Sequence, residues 1–104
     1  MTNKVFLAGK IADEPSARQT AAGAYVCSII LSVRRRNDKN DERTDNIACE
    51  AWGNIALYIA KSLKKGDFIE VEGSLRVKKK YDADRNTERF EQIVRIDGVE
   101  FYSG

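Results

Sequence analysis

Lysine and arginine are concentrated in two segments of this 104-residue chain, although its net charge is only +2. Residues 34–44 carry five basic side chains against three acidic ones, and residues 76–89 carry six against three. Cations clustered in this way attract phosphate groups. Solvated charges on two loops are the alternative interpretation. The candidate phosphate-binding residues are Arg34, Arg36, Arg76, Lys78, Lys79 and Lys80.

Trp52 is the first candidate for a ring that stacks on a nucleic-acid base. It shares the parity of Glu50 in a segment whose other parity carries Cys49 and Ala51. Because side chains alternate between the two faces of a strand, the indole is predicted to be exposed and to point away from the core. Packing under a helix or in an oligomer interface is the alternative for this ring.

Two further rings flank the second basic segment. Tyr81 and Phe90 could stack on bases as well, and stacking contributes roughly 1–3 kcal/mol per base whatever the sequence. Partial exposure is predicted for Tyr58 on the helix. Three other aromatic residues have the pattern of core or interface positions; they are Tyr25, Phe68 and Phe101.

Catalysis and metal binding find little support in the residue types. The chain has no histidine, which excludes Ser-His-Asp and Cys-His arrangements. Cys27 and Cys49 lie far apart in apolar segments and are predicted to be buried, reduced thiols. A carboxylate-metal nuclease stays formally open, but the acidic residues are scattered singly or lie next to basic ones, as in Asp41-Glu42-Arg43. We therefore predict no enzyme activity, no metal and no cofactor.

Length and hydropathy place the chain among small single-domain proteins. Residues 1–104 suffice for one core, and no run approaches the roughly 20 apolar residues of a membrane span. The N-terminus shows no signal-peptide pattern. A cytoplasmic protein is predicted.

The periodicities predict five strands and one helix. Asn54 is expected to cap the helix and Gly66 to end it, and Tyr81 to Thr87 is expected to be a polar loop. The predicted strands are 4–11, 24–36, 45–52, 67–79 and 88–96, with an extension through Val99 and Phe101, and the helix covers 55–63.

This order matches an OB-fold, a mainly β, five-stranded Greek-key barrel with one helix between strands 3 and 4. Other mixed α+β arrangements fit the order too. In an OB-fold the two basic segments are hairpin loops that commonly grip oligonucleotides. Single-strand binding is the function that this placement favours.

Six fragments in order resemble the bacterial single-stranded DNA-binding protein (SSB) family over nearly the whole chain. The resemblance implies an OB-fold, sequence-tolerant binding and protection of single-stranded DNA in replication, recombination or repair, and assembly into homotetramers. It places Trp52 and Phe90 on positions where the family carries aromatic rings. The fragments are 3–11, Asp13-Glu14-Pro15, Gly23 with 28–33, Trp52-Gly53-Asn54-Ile55-Ala56, 58–67 and 71–76.

The chain also departs from the family pattern. Asn37 and Asn46 stand near positions where some members carry tryptophan, and Lys80 stands at a further stacking position, with Tyr81 one residue later. Less stacking and more charge predict a steeper dependence of binding on salt. The family's disordered, acidic-tipped C-terminal segment does not follow Ser103-Gly104, so either a shortened chain or a tailless paralogue is expected.

A second hypothesis is an accessory module similar to primosomal replication protein B. Such a protein shares the OB-fold, is usually dimeric, and uses one surface for single-stranded DNA and for partner replication proteins. A tetramer favours the SSB interpretation and a dimer the primosomal one.

Overall fold

A computed structural model describes residues 1–36 and 42–102 of the chain. Most of these residues lie in strands, and one helix, α1, lies among them. The elements are β1 (Val5–Ile11), β2 (Ser16–Gln19), β3 (Tyr25–Arg34), β4 (Thr44–Trp52), α1 (Asn54–Ser62), β5 (Phe68–Asp82) and β6 (Thr87–Tyr102). The predicted mainly β fold is confirmed.

The strands close into a barrel. The sheet order is β1-β5-β6-β4-β3-β2, and β1 also pairs with β3 through Lys10 opposite Ser32 and Ile11 opposite Leu31. Neighbouring strands are antiparallel except β4 and β6, which are parallel. Closure leaves few unpaired strand edges, which explains how a short chain can form a stable barrel.

The five predicted strands appear as six in the described ranges, because the first strand is interrupted and its second part, β2, is not predicted from the sequence. β1 and β2 pair with successive stretches of β3, and Ser16 lies opposite Ser28. Between them Pro15 is buried, and proline has no N–H to donate to a sheet ladder. The helix therefore follows the fourth strand of the structure, and β2 continues the strand that Pro15 breaks.

The core follows the predicted alternation. On β3 and β4 the buried side chains include those of one parity, such as Leu31 and Cys49. Ala56, Ile59 and Leu63 pack into the same cluster from α1 and the turn that follows it. Tyr25, Phe68 and Phe101 are exposed at 39–45%, so the core alternative is wrong for them and the interface alternative stays a prediction. Tyr58 is exposed to a similar extent, at 43%, in agreement with the predicted partial exposure.

A glycine occupies the cap position before the helix, and the predicted Asn54 cap is wrong. Asn54 is the first helical residue and Gly53 is the cap position, with φ 67° and ψ −134°. Gly53 N–H donates to Tyr25 O at 2.9 Å, which ties the end of β4 to β3. A positive φ is open to glycine at little cost, so the chain can turn sharply after Trp52. The helix ends at Ser62, and Gly66, at φ 92°, lies in the turn beyond it.

The β5–β6 hairpin is longer than predicted. The sequence predicts a polar loop from Tyr81, but this residue pairs with Glu88 within the ladder, and β6 continues through Gly98 to Tyr102. The outer part of this hairpin is a two-stranded ribbon exposed on both faces. Neither face of the ribbon is buried, so apolar and polar residues do not alternate along it. The sequence pattern therefore does not indicate where these strands end.

Both cysteines are free and buried, as predicted. Burial raises the pKa of the Cys49 thiol to about 12 and also raises that of Cys27. Above pH ~8.5, where a thiol in the unfolded chain ionises, the unfolded state loses protons that the folded state keeps. The stability associated with Cys49 is thus fully present below this pH and is lost as pH rises towards about 12.

We expect the free energy of unfolding to fall between pH 9 and 10.5 by up to about 1.4 kcal/mol per pH unit from Cys49. Urea unfolding of the wild type and of Cys49→Ala at several pH values in this range measures it. The variant should show a shallower decline, because it lacks the titrating group. An identical slope in both proteins would contradict the assignment to Cys49.

Some sequence predictions fall on residues 37–41 and 103–104, which lie outside the described ranges. They include the polar loop from Asn37, the basic residue Lys39 and the chain end at Ser103-Gly104. Within the described ranges, no helix is long and apolar enough to cross a membrane.

Candidate nucleic-acid interface

Trp52 lies at the end of β4, where other side chains of the protein contact one edge and one face of its indole. Its Nε1–H donates to Glu50 Oε1 at 2.7 Å. The Arg95 guanidinium carbon lies 5.2 Å from the ring centroid, within the range of a cation–π contact. The ring is consequently only partly exposed, less than the sequence predicts.

Glu50 is the buried charge of this site, with 6% of its surface exposed. Lys78 Nζ donates to its Oε2 at 2.6 Å, while the indole occupies the other carboxylate oxygen. Burial alone raises the pKa of a carboxyl, but hydrogen bonds from Lys78 and Trp52 and the charges of Lys78 and Arg95 outweigh it. The pKa of Glu50 therefore lies below its ordinary value, and the carboxylate is ionised at neutral pH.

Three strands bring these side chains together. Glu50 on β4 lies beside Arg95 in the parallel register with β6, and Ser74 of β5 lies opposite Arg95 in turn. Arg76 and Lys78 follow at two-residue intervals along β5, which places them on the same face. We call this surface the Trp52 face. It contains a cleft of about 260 Å³ lined by Glu50, Trp52, Arg76, Val77, Lys78, Ile93 and Arg95.

The other two predicted rings lie on the opposite face of the β5–β6 ribbon. Phe90 pairs with Lys79, and Tyr81 pairs with Glu88, so both rings have the parity opposite to Lys78. They are well exposed, at 68% for Phe90 and 64% for Tyr81. The Tyr81 hydroxyl donates to Asn86 Oδ1 across the turn. Lys80 occupies the family's stacking position on the Trp52 face, and Tyr81 points to the opposite face. Tyr81 therefore does not supply the ring that is missing at that position.

The lysines of the hairpin are paired with carboxylates. Lys79 Nζ lies 3.1 Å from Glu88 Oε1, and Lys80 Nζ lies 3.1 Å from Glu91 Oε2. All four side chains are more than half exposed, so these pairs contribute little and open easily in water. Lys78 differs because its partner is the buried Glu50.

Arg34 and Arg36 lie in a different region, at the end of β3. Arg34 is opposite Thr44 in the β3–β4 ladder, and both arginines are exposed. Between them Arg35 forms an ion pair with Asp45 at 2.9 Å. The first basic segment thus starts on the β3–β4 hairpin, whereas Arg76 and Lys78 adjoin Trp52 directly.

Sequence reasoning missed Glu50 and Arg95 as parts of this site. The parity argument places Glu50 on the outer face, but does not reveal its burial between the indole and Lys78. One carboxylate among apolar residues, two positions before the candidate ring, is the available signal. Arg95 gives no signal, because its place over the ring depends on the parallel pairing of β4 with β6.

Comparisons with known proteins agree with a single-strand-binding barrel of this kind. The family model described as "Single-strand binding protein family" matches residues 2–102, so the chain belongs to that family. Membership accounts for the OB-fold barrel and confirms the resemblance seen in the sequence.

Individual relatives match over most of the chain. It is 31% identical over 98 residues to single-stranded DNA-binding protein 1 of Synechocystis sp., covering 94% of this chain and 81% of the relative. It is 32% identical over 95 residues to single-stranded DNA-binding protein 1 of Clostridium acetobutylicum, covering 88% and 86%. Against single-stranded DNA-binding protein A of Bacillus subtilis it is 32% identical over 103 residues, covering 97% of this chain but 59% of the relative.

Proposed function

We propose that this protein binds and protects single-stranded DNA, with Trp52 as its principal base-stacking residue. The observation that supports the proposal most directly is the cleft beside Trp52, where an indole is surrounded by the cations Arg76, Lys78 and Arg95. A ring beside several cations suits a nucleotide, because stacking needs a π-face and the backbone needs positive charge. Family membership supports the same function.

Binding of this kind requires no chemical step. One base stacks on Trp52 while the adjacent phosphates lie along Arg76 and Lys80 on the same face. Lys79 adds positive charge on the opposite face beside Phe90, and Arg34 and Arg36 extend the basic surface from the β3–β4 hairpin. Stacking accepts any base, and the phosphate contacts accept any sequence. Non-catalytic coating of single strands in replication, recombination or repair is the role that this geometry supports best.

Tyr81 and Phe90 give the bound strand a second surface. A strand that reaches Phe90 after Trp52 must pass around the edge of the β5–β6 ribbon, because the two rings lie on opposite faces. A short oligonucleotide on the Trp52 face cannot make this turn, whereas single OB-folds occupy up to about 16 nucleotides.

We therefore expect Phe90→Ala to leave the affinity for an oligo-dT of about 5 nucleotides unchanged. The same variant should weaken binding of a dT oligomer of about 20 nucleotides roughly fivefold or more, the loss of one stacked base. Fluorescence anisotropy with both labelled oligonucleotides measures the difference. Equal losses for the two lengths would place Phe90 beside Trp52 on the bound strand and contradict the two-face arrangement.

Self-association accompanies this function in our proposal. Phe6, Phe68 and Tyr102 are exposed large side chains on the outer side of the β1–β5–β6 sheet, and the Phe68 and Tyr102 rings lie 6.4 Å apart. Clustered exposed rings are typical of interaction surfaces. A homotetramer is favoured. A dimer would instead favour the primosomal-type module with its partner replication proteins, and light scattering coupled to size exclusion decides between them.

Anisotropy titration with labelled oligo-dT, duplex DNA and poly-U at two salt concentrations tests the binding function. We expect tight, salt-sensitive binding to oligo-dT and much weaker binding to the duplex, whose stacked bases cannot reach Trp52. Equal affinity for duplex and single strand would contradict the proposal, because phosphate attraction alone would then account for binding. Poly-U reports whether the surface distinguishes DNA from RNA.

A further inference from the structure

Glu50 is an unexpected charge for a surface that is proposed to bind a polyanion. Its carboxylate lies at the centre of the Trp52 face and is almost completely buried. Each oxygen has a partner, the indole N–H at 2.7 Å on Oε1 and the Lys78 ammonium at 2.6 Å on Oε2. An acid in this position repels a phosphate, so its presence calls for a role other than attraction.

The Trp52 contact restrains the orientation of the ring. An indole at the end of a strand has two rotatable side-chain bonds, and an acceptor at its N–H edge selects one orientation. A hydrogen bond to a charged acceptor is stronger than one between neutral groups. The face of the ring that a base meets is thus set before the strand arrives, which reduces the entropy lost on binding.

The Lys78 contact has the opposite effect on phosphate binding. The Lys78 side chain is 46% exposed, but that of Glu50 only 8%. If Lys78 turned towards a phosphate, it would leave a buried carboxylate without its cation, which is strongly unfavourable. The exposed pairs of Lys79 with Glu88 and Lys80 with Glu91 carry no such restraint.

We propose that Glu50 is a positioning residue for the bound strand: its carboxylate orients the indole of Trp52 for stacking and holds Lys78 back from phosphate. The surface therefore gains a fixed ring and gives up one cationic contact. Groups from three strands enforce this arrangement, namely Trp52 on β4 itself, Lys78 on β5 and Arg95 on β6. This inference rests on the proposed function.

Two variants separate the two effects. Glu50→Gln keeps an oxygen that can accept from the indole N–H but removes the charge that holds Lys78. We expect the slope of log K against log salt for oligo-dT to steepen by about 0.7, the value for one added phosphate contact on a single strand. Relative to equal affinity at 1 M salt, this change of slope makes Glu50→Gln bind oligo-dT about fivefold more tightly than wild type near 0.1 M. Glu50→Leu also removes the acceptor, and should bind about fivefold more weakly than Glu50→Gln, the equivalent of one hydrogen bond.

Glu88→Gln is the matched control. It removes the same unit of negative charge as Glu50→Gln, but on the β5–β6 hairpin, where it releases Lys79 from an exposed pair that already opens easily. A smaller gain in affinity is expected for this variant than for Glu50→Gln. An equal gain in both would overturn the proposal, because net charge alone would explain it, and so would an unchanged or weaker affinity of Glu50→Gln.

Thermal unfolding verifies that each variant is folded, and Glu50→Gln carries the test by itself if Glu50→Leu does not fold. If wild type fails to bind oligo-dT, the proposed function fails. If wild type binds and Glu50→Gln does not tighten binding, only the role of Glu50 fails.

Discussion

Replacing Trp52 with alanine should weaken the binding of single-stranded DNA at least tenfold. The variant loses the stack of one base, which contributes roughly 1–3 kcal/mol, and tenfold in affinity corresponds to about 1.4 kcal/mol. It also removes the aromatic face over which Arg95 lies. The barrel should remain folded, because Glu50 keeps Lys78 as its partner. Anisotropy titration with labelled oligo-dT measures the loss.

Tyr58→Ala is the control for a general effect of removing an exposed ring. Tyr58 lies on α1, and it lines a separate cleft with Ile55, Asp97 and Val99. We expect its affinity for oligo-dT to equal that of wild type. Trp52→Phe should fall between wild type and alanine, because it keeps a π-face but has no N–H for Glu50. An unchanged affinity of Trp52→Ala would show that the ring has a structural role and does not contact DNA.

Gly73→Ala should cause the largest loss of stability among single small substitutions in the hairpin. A Cβ at Gly73 would lie 1.9 Å from the backbone oxygen of Arg95, at the irregularity of the β5–β6 ladder between Glu72 and Gly73. Backbone cannot move aside as a side chain can, so the strands must separate. We expect a loss of about 2 kcal/mol, seen as a melting temperature lower by about 10 °C.

The same substitution should weaken DNA binding. A shift of β6 at Arg95 moves the guanidinium that lies over Trp52, so stability and affinity are expected to fall together. Gly98→Ala is the control, since a methyl group at Gly98 would have no heavy atom of the described residues within 4 Å beyond its chain neighbours. A Gly73→Ala protein as stable as Gly98→Ala would contradict the close packing of β5 against β6.

The fold was predictable wherever one face of a strand is buried. Alternation identifies β3, β4 and the inner half of β5, because their buried parity contains residues such as Leu31, Cys49 and Val71. It fails where burial does not alternate. β2 is a four-residue strand with one partly buried side chain, and the outer ribbon near Tyr81 is exposed on both faces.

The candidate site was predictable in its parts but not in its arrangement. Parity identifies the direction of Trp52, and charge clustering identifies Arg76 and Lys78. The contact of Lys78 with Glu50 joins β5 to β4, and that of Arg95 with Trp52 joins β6 to β4. Such contacts depend on closure of the barrel and on the register between strands, which local spacing does not contain. The placement of Trp52 and Phe90 on opposite faces likewise follows from the register of the β5–β6 ladder, which the sequence does not reveal.

The most direct test of the central claim, that a base stacks on Trp52, is the intrinsic fluorescence of this residue during titration with oligo-dT. The chain contains a single tryptophan, so the signal reports on one site. We predict saturable quenching whose midpoint agrees with the anisotropy of the labelled oligonucleotide and moves to higher concentration as salt increases. Full binding by anisotropy with an unchanged Trp52 emission would contradict the claim and place the strand elsewhere on the barrel.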